Sequence, residues 1–203
     1  MITRLLCVGV VPILLLTSCQ PRANHLPILG EKELINGDTN YYSIPPFSFI
    51  DQDSQYVSQS SLRGKIYVAD FFFTSCPTIC PKVKAQMLRV NDKFSSESQV
   101  AFLSHSIDYR RDSVPVLARY AQKLGITSDK WHLVQLSKEQ IESVANQYFN
   151  IAFEDETAPG GFDHSGRLIL VDRQGRIRSY CDGTDQEDVD RFMEDIQLLL
   201  DEE

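Results

Sequence analysis

The most strongly patterned part of the chain is an apolar run that leads directly into a helix-forming segment. Residues 66–73 are apolar except for Asp70, and they are rich in aromatic and β-branched residues. Such a run is typical of a strand that is buried on both faces. Thr74 and Ser75 then interrupt the pattern, and apolar positions at roughly helical spacing predict a helix over residues 82–94.

The same reading along the rest of the chain predicts strands that alternate with helices. An Asn36-Gly37 turn signal predicts a loose hairpin within residues 26–42. The predicted strands are 44–50, 55–58, 100–107, 131–136, 167–171 and 176–180, with a short one in 151–161; the predicted helices are 113–122, 137–148 and 185–200. This order predicts an α/β fold with a central sheet flanked by helices. Two cysteines close in sequence, Cys76 and Cys80, follow the first core strand. This placement makes a thioredoxin-like fold the simplest prediction.

The N-terminal segment has the pattern of a secretory signal. Arg4 precedes an apolar stretch from Leu5 to Leu16, which is too short for an ordinary spanning helix. The stretch ends in Leu16-Thr17-Ser18-Cys19, which resembles the bacterial lipobox, where cleavage before the cysteine leaves it to carry lipid. An ordinary signal or a short anchor helix is the alternative. We therefore expect a signal peptide over 1–18, a lipid-anchored tether and extension over 19–43, and one domain over 44–203.

Charge and cysteine content narrow the classes of function. The 203-residue chain has a net charge of −8, and removal of residues 1–18, which hold Arg4 and no acidic residue, would make it −9. An acidic protein is a poor match for nucleic acid or for anionic lipid headgroups. Three cysteines remain beyond Cys19, which are too few for a disulfide framework. Of these, Cys181 follows the last predicted strand and is interpreted as a half-buried thiol without a chemical role.

Cys76 and Cys80 lie where the central strand gives way to the helix. Pro81 suits an early helical position, and a helix N-terminus favours negative charge, so we expect a lowered pKa for both thiols. Three residues separate them, whereas thioredoxin-type redox sites have two. The longer spacer also allows both sulfurs to face one soft ion such as Cu(I), with an imidazole as third ligand. Two buried cysteines or a structural disulfide are the alternatives.

Four histidines could supply that imidazole. His25 lies in the polar tether, His132 follows Trp131 in a predicted strand, and His105 lies inside another. A satisfied structural role is the simpler interpretation for a histidine within a strand. His164 lies instead in a glycine-rich loop immediately before a strand, where it could approach the thiols, and Asp163 could orient its ring. His164 is therefore the favoured third ligand.

Taken together, these motifs resemble the Sco/SenC family over about residues 44–200. The resemblance is carried by Phe71-Phe-Phe-Thr-Ser-Cys-Pro-Thr-Ile-Cys-Pro81, Ser106-Ile-Asp-Tyr-Arg-Arg-Asp-Ser113 and Asp163-His164-Ser165. It implies a thioredoxin-like fold with an inserted hairpin and copper ligands at Cys76, Cys80 and His164. The chain departs from the family pattern at Thr78, where Asp is frequent, and at Tyr109, where Pro is usual.

The resemblance implies an extracytoplasmic metallochaperone that binds Cu(I) or Cu(II) and helps to assemble the dinuclear copper centre of cytochrome c oxidase. The implied partners are the copper-centre subunit or another copper-accepting protein, a copper donor protein, and a membrane reached through the lipid on Cys19. The membrane-anchored lipoprotein would lie on the periplasmic side of a bacterial membrane.

Three other functions fit parts of the sequence. A thiol–disulfide oxidoreductase would use Cys76 and Cys80 as redox residues to keep the cysteines of acceptor proteins reduced. The three-residue spacer, His164 and the lack of a Pro directly before Arg167 favour metal binding instead. Peroxide reduction by one reactive cysteine fits the fold but leaves His164 without a role. A purely structural or docking role is the last alternative.

Overall fold

The computed structural model describes residues 25–126 and 129–202, which form four helices and eleven strands. The signal segment 1–18 and Cys19 lie outside the described residues. The strands are β1 (Lys32–Ile35), β2 (Asp38–Tyr41), β3 (Ser48–Ile50), β4 (Tyr56–Ser58), β5 (Ile66–Phe72), β6 (Val100–Ser106), β7 (Trp131–Gln135), β8 (Ala152–Glu154), β9 (Phe162–His164), β10 (Arg167–Val171) and β11 (Ile177–Asp182). The helices are α1 (Cys80–Lys93), α2 (Val114–Leu124), α3 (Ile141–Gln147) and α4 (Gln186–Asp201).

A five-stranded mixed sheet forms the centre, in the order β11-β10-β5-β6-β7. β5 pairs in parallel with β6, and β6 with β7, whereas β10 runs antiparallel to both β5 and β11. Every residue of β5 and β6 is buried, which accounts for their continuous apolar character. β5 is thus the central strand of the sheet, and the thiol turn follows its carboxyl end.

The two faces of the sheet are covered differently. Phe72 lies under α1 and α2, since the Lys84 ammonium lies 4.0 Å from its ring centroid and Tyr120 stacks on it at 5.6 Å. Phe71 points to the opposite face, where it contacts His105 and Tyr148, the residue that follows α3. Side chains alternate along a strand, so neighbouring aromatic residues of one run build both halves of the core.

The two ends of the described chain meet at Arg178. Its guanidinium donates to the Leu26 and Pro27 carbonyl oxygens at 2.6 and 3.1 Å and to a Glu202 carboxylate oxygen at 2.6 Å. The other Glu202 carboxylate oxygen accepts from the Leu26 amide at 2.8 Å. The N-terminal extension is therefore fastened to the domain where α4 ends.

Most of the predicted elements are confirmed, including the hairpin around Asn36-Gly37, now β1 and β2. α2 ends where Gly125 adopts a left-handed φ of 73°. The third helix begins at Ile141 rather than at Ser137, because the residues before it form turns. No helix in the described ranges has the length and apolar character needed to span a membrane.

Candidate metal centre

Cys76 and Cys80 lie on one short turn at the carboxyl end of β5. The Cys76 amide donates to the Phe73 carbonyl at 3.2 Å, which folds the turn back on the strand. Cys80 is the first residue of α1, and Pro81 follows it in the first helical turn as predicted. Both thiols are free and buried, with exposed fractions of 8% and 2%, while Pro77 and Thr78 between them are exposed.

His164 reaches the same place from a distant part of the sequence. Its Nε2 lies 3.3 Å from the Cys80 Sγ, across 84 positions of the chain. Among the described residues, Cys76, Cys80 and His164 are the only group of three or more potential metal-binding residues whose ligand atoms converge, all within 4.8 Å of one another. The predicted third donor is thus brought to the two thiols.

A strand, rather than the predicted flexible loop, carries His164. Ala152 of β8 pairs with His164 of β9, and the imidazole packs edge-on against Phe73 at 5.7 Å. The β8–β9 pair is an extra hairpin between α3 and β10, as the resemblance implies. His164 is therefore held by backbone pairing and by an aromatic contact with the residue that follows β5.

The prediction that Asp163 orients the imidazole is wrong. The Asp163 side chain is exposed, because neighbouring residues of β9 point to opposite sides. The His164 Nδ1 instead lies 3.2 Å from the Ser165 carbonyl oxygen. A carbonyl oxygen accepts only from an N–H group. In the neutral imidazole this bond therefore places the proton on Nδ1 and leaves Nε2 free to accept or to ligate.

The two thiols differ in acidity, which corrects the expectation of a lowered pKa for both. The hydrogen bond from Cys80 lowers the pKa of Cys76, burial opposes this shift, and hydrogen bonds from the backbone of the turn add to the lowering. The pKa of Cys80 is raised, because its proton is shared with the Cys76 thiolate and because the group is buried. These opposite shifts favour the thiolate form at Cys76 over the thiolate form at Cys80.

Asp112 fixes the residues that lead into the thiol turn, a role that the sequence analysis missed. Its buried carboxylate accepts from the Thr74 amide at 2.9 Å, from the Thr74 hydroxyl at 2.5 Å and from the Ser106 hydroxyl at 2.6 Å. Asp112 belongs to the second stretch of the family resemblance, but no local pattern connects it with Thr74. The contact exists only because β5 and β6 are adjacent and parallel.

Arg111 joins the thiol turn to the loop that precedes β9. Its guanidinium donates to the Ser75 hydroxyl and to the Gly160 carbonyl, both at 3.3 Å, and to the Asp108 carboxylate at 3.2 Å. The side chain is 55% exposed, so these bonds form at the surface. They connect the segments that carry the thiols and the imidazole, another relationship without a signal in the sequence.

The other histidines lie elsewhere. The His25 side chain is 80% exposed, and His132 pairs with Asp51 at 2.8 Å. His105 is fully buried among aromatic rings, and its Nδ1 lies 3.2 Å from the Asp70 carbonyl oxygen. None of the three belongs to the converging Cys/His group. The expectation of a satisfied role is met only in part for His105, because its buried Nε2 has no hydrogen-bond partner among the described residues.

Cys181 is not half-buried after the last strand, as predicted, but fully buried within β11. Its pKa is raised by burial and then by the Asp188 charge. It does not belong to the converging Cys/His group, so it lies apart from the candidate metal centre.

Comparison with known proteins gives a consistent result. A profile of the SCO1/SenC family matches residues 37–201. Three solved structures superpose well. A SCO1/SenC family lipoprotein from Bacillus anthracis str. Ames is 26% identical, with a TM-score of 0.72 over 79% of this chain and 96% of that one. BsSco, a member of the Sco family of cytochrome c oxidase assembly proteins in which a disulfide switch was identified, is 29% identical, with a TM-score of 0.70 over 80% and 95%. Arabidopsis thaliana ScoI with copper bound is 26% identical, with a TM-score of 0.64 over 78% and 98%.

Proposed function

Because the chain belongs to the SCO1/SenC family, we propose that it is an extracytoplasmic copper-binding metallochaperone that assists assembly of the dinuclear copper centre of cytochrome c oxidase. Cys76, Cys80 and His164 are its copper ligands. The observation that carries the proposal is the convergence of two sulfurs and one imidazole nitrogen within 4.8 Å. Related structures include one with copper bound and one from the oxidase assembly proteins, which supports the same conclusion.

The donor set fits copper. Thiolate sulfur and imidazole are soft or borderline donors, and two sulfurs with one nitrogen suit three-coordinate Cu(I). One thiolate is already favoured at Cys76 because Cys80 donates a hydrogen bond to it. Loading the site requires Cys80 to release its proton, so copper uptake is coupled to proton release. Thr78, where the family often has Asp, adds no charge beside these ligands.

Delivery depends on how the three ligands are attached. The thiols share one turn, whereas His164 belongs to the β8–β9 hairpin, so the imidazole can separate without unfolding α1. Pro77 and Thr78 are exposed, so they are the part of the thiol turn that another protein would contact first. Cysteine and histidine side chains of an acceptor would replace Cys76, Cys80 and His164 as copper ligands one at a time.

A second function, thiol–disulfide exchange, is favoured by the unequal acidity of the thiols. The Cys76 thiolate would attack an acceptor disulfide, forming a mixed disulfide and releasing one acceptor thiolate. Cys80 would then pass its proton to the His164 Nε2, 3.3 Å away, and attack Cys76. The products are a Cys76–Cys80 disulfide and a reduced acceptor. The disulfide switch identified in BsSco is consistent with this chemistry.

The place of action is proposed from the N-terminal segment. Lipid on Cys19 would hold the domain at the extracytoplasmic face of a membrane, near an oxidase subunit that accepts copper and a protein that donates it. The related Bacillus anthracis structure is that of a lipoprotein, which supports an anchor of this kind.

Copper titration tests the proposal directly. The full-length chain would be purified in detergent, reduced, loaded with Cu(I) without oxygen, and compared with Cys76→Ser, Cys80→Ser and His164→Ala. Cys181→Ser is the matched control, because this thiol lies outside the converging group. We expect about one retained copper per chain, weakened in the three ligand variants and unchanged in the control. A reduced protein that retains no copper but exchanges disulfides readily would favour the oxidoreductase instead.

A further inference from the structure

His164 depends on its neighbour Ser165 for orientation, so whatever fixes Ser165 also aims the imidazole. The Ser165 carbonyl accepts from the His164 Nδ1 at 3.2 Å, while Nε2 faces the Cys80 Sγ. Ser165 itself lies between β9 and β10, outside both strands. Its position must therefore be set by contacts other than regular strand pairing.

Those contacts come from Asn150 and Ile151, in the segment between α3 and β8. The Ser165 amide donates to the Ile151 carbonyl at 3.2 Å, and the Ser165 hydroxyl donates to the Asn150 Oδ1. The same Oδ1 accepts from the Ile151 amide at 2.9 Å. Because two donors face this oxygen, the orientation of the Asn150 amide group is fixed.

The side chain of Asn150 has one feature that opposes folding. The side chain is 3% exposed, and its Nδ2 finds no hydrogen-bond partner among the described residues. A buried donor without a partner opposes folding. The residue is therefore better explained by what its oxygen holds, namely Ser165, than by stability alone.

Several contacts hold the backbone of Phe149 and Asn150, which follow α3. Phe149 adopts a positive φ of 51°, a conformation that residues other than glycine rarely take. Its ring packs against Tyr42 at 5.1 Å, and the Arg167 guanidinium donates to its carbonyl at 3.3 Å. The backbone N–H of Asn150 donates to the Ala145 carbonyl at 3.0 Å, which anchors Asn150 to α3. These contacts hold the backbone of the residues that support Ser165.

We propose that Asn150 is a positioning residue for His164, acting through the hydroxyl and carbonyl of Ser165 to keep the imidazole Nε2 aimed at Cys76 and Cys80. This proposal rests on the proposed copper site and deepens it. Asn150 touches neither thiol; it determines which ring nitrogen carries the proton and where the free nitrogen points. A group that orients a ligand in this way commonly changes metal affinity when it is removed.

The first test uses the reduced, copper-free protein, so its result does not depend on copper binding. Full-length chain with ¹⁵N-labelled histidine, in detergent, would be examined by NMR at a pH where the imidazole is neutral. We expect the His164 proton to reside on Nδ1 in the parent protein and to be distributed over both nitrogens in Asn150→Ala. Asn150→Asp, which keeps an acceptor oxygen at this position, should restore the parent pattern. Asn146→Ala is the matched control, since Asn146 is exposed on α3.

The second test measures Cu(I) affinity in the same variants. We expect Asn150→Ala and Ser165→Ala each to weaken binding about tenfold, and the double variant to be no weaker than either single one. In a His164→Ala background, Asn150→Ala should have no further effect. Unfolding curves identify any variant that fails to fold; if Asn150→Ala does, Ser165→Ala, with and without His164→Ala, carries the test.

The results separate the two proposals. An unchanged His164 tautomer in folded Asn150→Ala, or an equal loss of affinity with and without His164, would overturn the positioning role while leaving the copper site intact. A parent protein that binds no copper would overturn the proposed function, and the tautomer measurement would still decide whether Asn150 orients His164.

Discussion

The Lys84 Nζ lies 2.8 Å from the Asp70 carboxylate, and each side chain is only 1% exposed. The ammonium also donates to the Ser104 hydroxyl at 2.8 Å and lies 4.0 Å from the Phe72 ring centroid. The ion pair thus joins α1, which begins at Cys80, to β5 beneath it. Removing one member would leave an uncompensated charge in the core, whereas the complete pair contributes little net stability.

Lys84→Met should therefore destabilise the protein by about 3–5 kcal/mol, because Asp70 loses its only ammonium partner in the described chain. The double variant with Asp70→Asn should cost less than the sum of the two single changes. Denaturant unfolding of the four proteins measures this coupling. Additive losses would show that the two charges do not stabilise each other.

Gly160 and Gly161 provide a matched pair beside the candidate metal centre. Both have positive φ, 90° and 91°, but a Cβ on Gly160 would lie 2.5 Å from the Phe73 ring, whereas one on Gly161 would meet nothing within 4 Å. Gly161→Ala should cost about 1 kcal/mol through backbone strain alone. Gly160→Ala should cost about 2–3 kcal/mol, because Phe73 must also move.

Phe73 packs against the His164 imidazole, so Gly160→Ala should also disturb the site. The measurements are unfolding curves and the Cu(II) absorption spectrum. Equal stability and identical spectra for the two alanine variants would show that the contact with Phe73 does not matter.

His105 should make the fold sensitive to acid. Burial lowers the pKa of His105 to about 4 from a usual value of 6.5, so the folded chain keeps the ring neutral. The unfolded chain binds a proton as the pH falls below 6.5, and folding loses stability progressively between pH 6.5 and 4. The full loss is about 3 kcal/mol.

His105→Asn removes the titration but keeps a donor for the Asp70 carbonyl. The free energy of unfolding, measured against pH, should fall less steeply below neutrality in the variant than in the parent. Burial raises the pKa of Asp112, which acts in the opposite direction, so the difference between the two proteins isolates His105. Parallel pH profiles would contradict the assignment.

Asp112→Ala should loosen the start of the thiol turn. The Thr74 amide, the Thr74 hydroxyl and the Ser106 hydroxyl would lose their common acceptor, for an expected cost of about 3 kcal/mol. Thermal unfolding checks this value. Exposed Asp163 is the control: Asp163→Ala should change stability by less than about 0.5 kcal/mol. Similar losses of stability in the two variants would show that Asp112 does not support the thiol turn.

The thiol turn could be predicted because all of its signals are local. The apolar run of β5, the break at Thr74 and Pro81 after Cys80 follow one another within a single stretch. The prediction of His164 rests on chemistry rather than on a local pattern, since two soft sulfurs favour an imidazole as third donor and the other histidines have simpler explanations. Copper binding by these residues stays a prediction.

The features that were missed depend on contacts between distant segments. Asp70 was visible only as an interruption of an apolar run, and nothing in the sequence indicated that Lys84, one helical turn beyond Cys80, would be buried against it. Asn150 gave no signal, because its role depends on Ser165 lying beside it. Asp163 is adjacent to His164 in sequence, which favours it as the orienting group, but the alternation of side chains along β9 turns it to the opposite side.

The separation of 84 positions between Cys80 and His164 also has a consequence for folding. The thiol pair needs only the short turn after β5, whereas the imidazole joins it only after a long loop has closed and β8 and β9 have paired. Contacts between nearby residues tend to form earlier than contacts between distant ones. During folding, the two sulfurs would therefore come together first, without the imidazole. The complete set of three donors would form only when the chain has finished folding.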